Sequence, residues 1–127
     1  MIRADSQSTN YQTIFTNGTH RSTSDTTPNK GGGNLGFRPH ELLEAALATC
    51  MNMTLRMAAD KHGIPLSSVS VTVFLNREEP GQPVFEYSVQ FGKALSEAQK
   101  SRLLSAVETC PVRNTLSHPL HFRRHHR

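Results

Sequence analysis

The feature that most constrains this chain is the stretch from Arg38 to Gly63, RPHELLEAALATCMNMTLRMAADKHG. It predicts one long helix. Pro39 suits the first helical position, where its missing N–H costs nothing. Glu41 and Glu44 place negative charge in the opening turns, and Lys61 and His62 place positive charge at the far end, both in keeping with the helix dipole. Gly63 offers a left-handed exit and Pro65 prevents continuation. Such a rod is roughly 36 Å long. Leu43, Leu47, Cys50, Thr54 and Met57 recur at spacings of four and three and share one face, expected to be the inner one. Glu41, Asn52, Arg56 and Asp60 form a polar stripe opposite. Leu42, Ala46, Met51, Met53, Leu55 and Ala58 widen the apolar arc, so the helix reads as a buried central element with Met51, Met53 and Met57 as core filler.

The remaining 101 or so residues must cover that helix, and 127 residues predict a single domain. With 35% hydrophobic residues and no Trp, the core is thin, and a homodimer sharing it is expected. The formal charge is +4, with much of the basicity in the final HFRRHHR and no nucleic-acid-binding motif, so no nucleic-acid partner is expected. The first ten residues hold no apolar signal segment, and no stretch is long enough to span a bilayer. The expectation is a cytoplasmic protein with no membrane partner, in which two cysteines are more often reactive than structural.

Elsewhere the chain reads as short strands and helices. Asn17-Gly18 between runs of Thr, Ile and Phe predicts a hairpin over residues 11–23, with residues 1–5 as an edge strand. Residues 24–37, including Gly31-Gly32-Gly33, predict a loop with no phosphate-binding pattern. Val69, Val71, Val73 and Leu75 alternate with polar neighbours, as do Phe85, Tyr87, Val89 and Phe91, giving an antiparallel strand pair. Ser96 and Gln99 form a capping box opening a second helix with Leu103, Leu104 and Val107 inward. Pro111 opens a short third helix through Leu116, with Cys110 as N-cap. The domain thus divides into 1–37, 38–63 and 64–127, and the fold class is α+β.

Chemistry centres on the two cysteines. Cys110, at a helix N-terminus, is expected to have its thiolate stabilised by free amides. Cys50 in mid-helix has no such help and would need a cation from another segment or subunit. One activated and one buried thiol suit a peroxidatic and resolving pair, forming a sulfenic acid and then a disulfide. Two inert, buried cysteines remain the alternative. His118, His121, His125 and His126 match no zinc spacing, and no metal is expected. There is no nucleophile elbow for a serine hydrolase.

Pro39-His40-Glu41-Leu42-Leu43 through Ala46-Leu47-Ala48-Thr49-Cys50, followed by Met53-Thr54-Leu55, resembles the central-helix signature of the OsmC/Ohr family of thiol peroxidases. Cys110-Pro111-Val112-Arg113-Asn114-Thr115-Leu116-Ser117 resembles that family's second-cysteine motif. The resemblance implies an OsmC-like fold, an antiparallel sheet with a long central helix in an intertwined homodimer with two interfacial sites. It implies Cys50 as peroxidatic and Cys110 as resolving thiol, organic or fatty-acid hydroperoxides as substrates, and no bound cofactor. The implied reductant is an external dithiol such as a dihydrolipoyl group on a lipoylated protein.

The sequence departs from the family at one instructive place. Peroxidase members carry Glu directly after the proline that opens the helix, where it helps to hold an activating Arg. Here that position is His40. Glu41 lies on the far side of the helix from Cys50, whereas His40 lies roughly 80° from it. Arg21, beside the hairpin turn, and Arg38, just before the helix, are the candidate cations. This places the chain near a divergent OsmC-like branch, for which two further readings stand beside peroxidase activity. One is an apolar-ligand binder using the pocket around Cys50; the other is a small thiol esterase.

Overall fold

Asn17 sets the first turn. Its side-chain oxygen accepts the amides of Thr19 and His20 at 2.9 and 2.8 Å, and Gly18 takes φ +99°. The turn joins β2 (Thr13–Thr16) to β3 (Arg21–Ser24), and β1 (Arg3–Ser6) pairs on the other side of β2. All three are antiparallel, with Thr16 opposite both Arg3 and Arg21. The expected hairpin and edge strand are therefore present as a three-stranded meander. The structure is a computed structural model and describes residues 1–126. The chain falls into two compact units, Met1–Leu43 and the residues from Glu44 onward.

The loop after β3 is built around a buried carboxylate. Asp25 is only 3% exposed and accepts the amides of Thr26, Gly33 and Leu35 at 2.7 to 3.1 Å. The Leu35 and Thr26 amides, joined by that of Gly33, hold its carboxyl below the usual range against the opposing effect of burial. The chain then folds back on β3. Ser24 Oγ donates to the Phe37 carbonyl at 2.7 Å, and the Phe37 amide donates to the Thr23 carbonyl at 3.1 Å. That approach requires Gly36, because a Cβ there would stand 2.3 Å from the Thr23 carbonyl oxygen.

The long helix, α1, spans Pro39–Lys61 and ends as expected, with Gly63 at φ +63°. Its buried stripe differs from the expected one. Leu47, Met51, Leu55 and Ala59 are buried, each four residues from the last. Leu43 and Met57 are exposed, as is Met53, and Cys50 is half-buried. A four-residue row drifts slowly around a 3.6-residue helix and presents a narrow seam. The four-three row through Leu43, Cys50 and Met57 runs beside that seam, so it is not the inner face. Nor is Asn52 solvated: its amide donates to the Val69 carbonyl at 2.9 Å.

In the second unit, β4 (Val69–Asn76) and β5 (Val84–Phe91) pair antiparallel over their full length, Val69 opposite Phe91 and Leu75 opposite Phe85. Two side chains of α1 fix β4. Asn52 holds Val69, and Glu44 Oε2 accepts the Leu75 amide at 2.8 Å, so helix and strand run in opposite directions. α2 (Glu97–Val107) opens on the complete Ser96–Gln99 capping box. It buries Leu103 and Val107, while Leu104 is exposed rather than inward. α3 (Pro111–Leu116) follows with Cys110 as its N-cap residue. Met51, Leu55, Leu103, Val107 and Cys110 are fully buried and form the centre of this unit. The fold is α+β, with antiparallel sheets and one long helix. Among the described residues no helix is long and apolar enough to cross a membrane.

Candidate functional site

The two cysteines, 60 positions apart, meet where α3 begins beside the middle of α1. Both are free thiols. Cys110 is fully buried in the core made by α1 and α2, with Leu47, Met51, Leu103 and Val107 in the same cluster. Cys50 packs against that cluster from its edge and is half-buried.

Their ionisation is the reverse of what helix position alone predicts. Burial pushes the Cys50 thiol up. Three donors more than offset it: the Cys110 thiol, the Val112 amide and the Thr54 hydroxyl, so its pKa lies below the ordinary thiol value. Cys110 is raised, first by burial and then by its hydrogen bond to Cys50, with the Arg113 and Val112 amides pulling weakly the other way. The pair therefore holds one proton preferentially on Cys110, whose S–H is donated to the Cys50 sulfur.

The local reason lies in the start of α3. Pro111 has no N–H, so the first free amide of that helix is Val112's. Cys110 makes no side-chain capping bond to its own helix. Its sulfur lies in the apolar cluster, where the Arg113 and Val112 amides offset only part of the effect of burial, and the Val112 amide serves Cys50 as well. The expectation that Cys110 would be the stabilised thiolate is thus corrected, as is the expectation that Cys50 depends on a cation for any help at all. Val112 and Thr54 are the contributors that sequence reasoning missed. Thr54 was visible as the one hydroxyl four residues after Cys50, on the same helix face. The Val112 donor shows no side-chain signature.

The other candidates belong to the first unit or its end. Arg21 opens β3 and is exposed. Arg38 is engaged by Glu41, whose carboxylate accepts its amide at 2.9 Å and its Nε at 3.3 Å. The Arg38 amide, with the Arg38 side chain, holds the Glu41 carboxyl below its ordinary range. His40 is exposed in the first turn of α1. Among the described residues no group of three metal-ligating side chains is assembled.

Two depressions flank the thiols within the second unit. A small one of about 180 Å³ lies among Leu47, Met51, Phe85, Tyr87, Arg113 and Leu116. A larger cleft of about 550 Å³ runs from Thr54 and Pro111 along α1 and α2 to Lys61, His62 and Arg102. A half-buried, hydrogen-bonded thiolate beside a reduced partner thiol can attack an electrophile and then be released as a disulfide.

The family model for OsmC-like proteins matches residues 31–123 of this chain. The chain is also similar in structure to an organic hydroperoxide resistance protein OsmC from Legionella pneumophila, at 21% identity over 91% of this chain and 87% of that one, TM-score 0.66. An OsmC-like protein from Mycoplasma pneumoniae is 21% identical over 92% of this chain and 86% of its own, TM-score 0.71. The organic hydroperoxide resistance protein OhrB of Bacillus subtilis is 20% identical over 91% and 87%, TM-score 0.61. At such identities the likeness is one of fold. No curated protein matches the chain.

Proposed function

Because this chain belongs to the OsmC-like family, we propose that it reduces organic hydroperoxides, with Cys50 as the attacking thiolate and Cys110 as the resolving thiol. The observation that carries this reading is the meeting of two free thiols 60 positions apart in sequence, Cys50 half-buried at the edge of the core cluster and Cys110 fully buried within it; the lowering of Cys50 and the raising of Cys110 agree with it. Cys50 sulfur attacks the terminal oxygen of ROOH, the O–O bond breaks, and the alkoxide leaves as ROH after taking a proton. Cys50 becomes a sulfenic acid. Cys110 sulfur then attacks the Cys50 sulfur, hydroxide leaves as water with the Cys110 proton, and a disulfide joins the two. An external dithiol, such as a dihydrolipoyl group on a lipoylated protein, restores both thiols by exchange.

In the same reading Arg21 or Arg38 steadies the thiolate, and His40 occupies the position beside Pro39 where peroxidase relatives carry Glu. A second copy of the chain covers apolar side chains such as Met53, Phe74 and Val84, each more than half exposed. Light scattering that returns the mass of one chain would remove the dimer from the proposal. We place the activity in the reducing cytoplasm, where both thiols persist unpaired.

The test is consumption of cumene hydroperoxide and hydrogen peroxide with dihydrolipoamide as reductant, in wild type, Cys50→Ser and Cys110→Ser. The expected result is turnover that prefers the organic peroxide and vanishes in Cys50→Ser. Cys110→Ser should retain one rapid turnover and then stall at the sulfenic acid. Turnover no faster than that of Cys50→Ser would overturn the reading.

A further inference from the structure

The net charge of this chain is confined to one stretch of it. Residues 1–108 carry ten Lys or Arg and ten Asp or Glu and are formally neutral. From Thr109 onward there is no Asp or Glu, and Arg113, Arg123, Arg124 and Arg127 account for the whole +4. Arg113 Nη1 donates to the Glu108 carbonyl at 3.5 Å. The other three follow Pro119, interleaved with His121, His125 and His126. Nothing in the second unit covers this segment. After α3, His118 Nδ1 lies 2.7 Å from the Asn114 carbonyl, and residues 119–126 then form no helix or strand and are exposed. Among the described residues neither Arg123 nor Arg124 is in an ion pair, since the salt bridges are those of Arg3, Arg38 and Lys100. Two apolar side chains stand beside these cations, Leu120 at 55% exposed and Phe122 at 97%. Neither packs on the core cluster.

We propose that residues 120–126 attach the protein to an anionic lipid surface, with Arg123 and Arg124 among the phosphates and Leu120 and Phe122 seated below them in the headgroup layer. Charge complementarity selects the class of partner. A second copy of the chain brings a formally neutral fold and the same cations, so it offers this segment no excess of negative charge. The apolar pair then selects lipid over nucleic acid. A bilayer accepts both side chains beneath its phosphates, whereas an aliphatic Leu120 gains nothing by stacking on a base. The histidines add N–H donors for the same oxygens. Attachment of this kind needs no spanning helix, and none is present among the described residues. The expectation of no membrane partner, which rests on the lack of a span, is revised by this proposal to peripheral attachment. The inference stands on the segment alone and is independent of the hydroperoxide reading.

The test is co-sedimentation of the full chain with vesicles of phosphatidylcholine, made with and without phosphatidylglycerol, beside binding to a single-stranded RNA at the same salt. Wild type should bind the anionic vesicles about tenfold or more tightly than the neutral ones, and added salt should weaken that binding. Each arginine at such a surface contributes about fivefold in affinity, so Arg123→Gln/Arg124→Gln should weaken binding about twenty-five-fold. Phe122→Ser, which leaves the charge unchanged, should weaken it severalfold. Equal binding to the two kinds of vesicle would overturn the proposal, as would a double variant within twofold of wild type. Undiminished binding by Phe122→Ser would overturn it too, since no side chain would then enter the headgroup layer. Binding to the RNA without binding to vesicles would assign the segment to nucleic acid and overturn the lipid proposal. The replaced side chains are exposed, and a thermal midpoint matching that of wild type confirms that each variant is folded.

Discussion

Replacing Thr54 by valine isolates one of the donors to Cys50. Valine keeps the branched shape that α1 accommodates at this half-buried site, so the helix should be preserved while the hydroxyl is lost. A hydrogen bond to a charged group contributes about 1.5–3 kcal/mol. Cys50 is half-buried, so water recovers part of the loss and the lower end applies. A penalty of about 1.4 kcal/mol on the thiolate lowers the ionisation constant of Cys50 roughly tenfold. The assay is alkylation by iodoacetamide, followed by peptide mass analysis so that Cys50 and Cys110 are read separately. In wild type, the Cys50 rate should rise with pH through an inflection below that of an ordinary thiol, because its protonated form is inert and its thiolate is favoured. Cys110 should inflect above it. In Thr54→Val the Cys50 inflection should move to higher pH, and at pH values below both inflections the rate should fall about tenfold. A Cys50 rate within twofold of wild type would mean that the hydroxyl does not reach the sulfur, and the reasoning about this site would fail.

Three further outcomes follow from the packing. Gly36→Ala would place a methyl 2.3 Å from the Thr23 carbonyl oxygen, a backbone atom that cannot swing aside; a loss of about 1–3 kcal/mol should appear as a lower thermal midpoint. Leu103→Ala empties a fully buried position at the centre of the second unit and should cost about 2–5 kcal/mol in denaturant titration. Cys110→Ala should slow Cys50 alkylation more than Cys110→Ser does, since serine keeps a donor where alanine has none; equal rates in the two variants would remove Cys110 from the donors of Cys50.

Much of the local structure was legible because it depends on neighbours in sequence. The Asn17-Gly18 turn, the capping box at Ser96, the helix opened by Pro39 and closed at Gly63, and the short helix at Pro111 are each written in a few adjacent residues. The buried face of α1 was not. Apolar residues extend well around that helix on both sides of its polar stripe, and hydrophobic spacing alone cannot choose between the row through Cys50 and the row through Met51. The choice is made by what packs there: Leu103, Val107 and Cys110 from the α2–α3 end, and β4 tied by Glu44 and Asn52. Asn52 looked like a solvent-facing residue for the same reason, since its partner is a backbone carbonyl seventeen positions away.

The ionisation order of the two thiols has the same origin and carries it into chemistry. A cysteine at a helix start invites the inference that the helix amides serve its own sulfur. That inference assumes the side chain turns back over the first turn, as a capping serine does. Cys110 makes no such capping bond: its sulfur lies in the apolar cluster with Leu103 and Val107, and there burial outweighs the Arg113 and Val112 amides and favours the thiol over the thiolate. The Val112 amide also serves Cys50, which stands at the edge of the same cluster and is half-buried. Core packing thus selects which sulfur ionises. It also gives Cys110 two successive duties in the proposed reaction, since the S–H that first steadies the Cys50 thiolate supplies the sulfur that later attacks it.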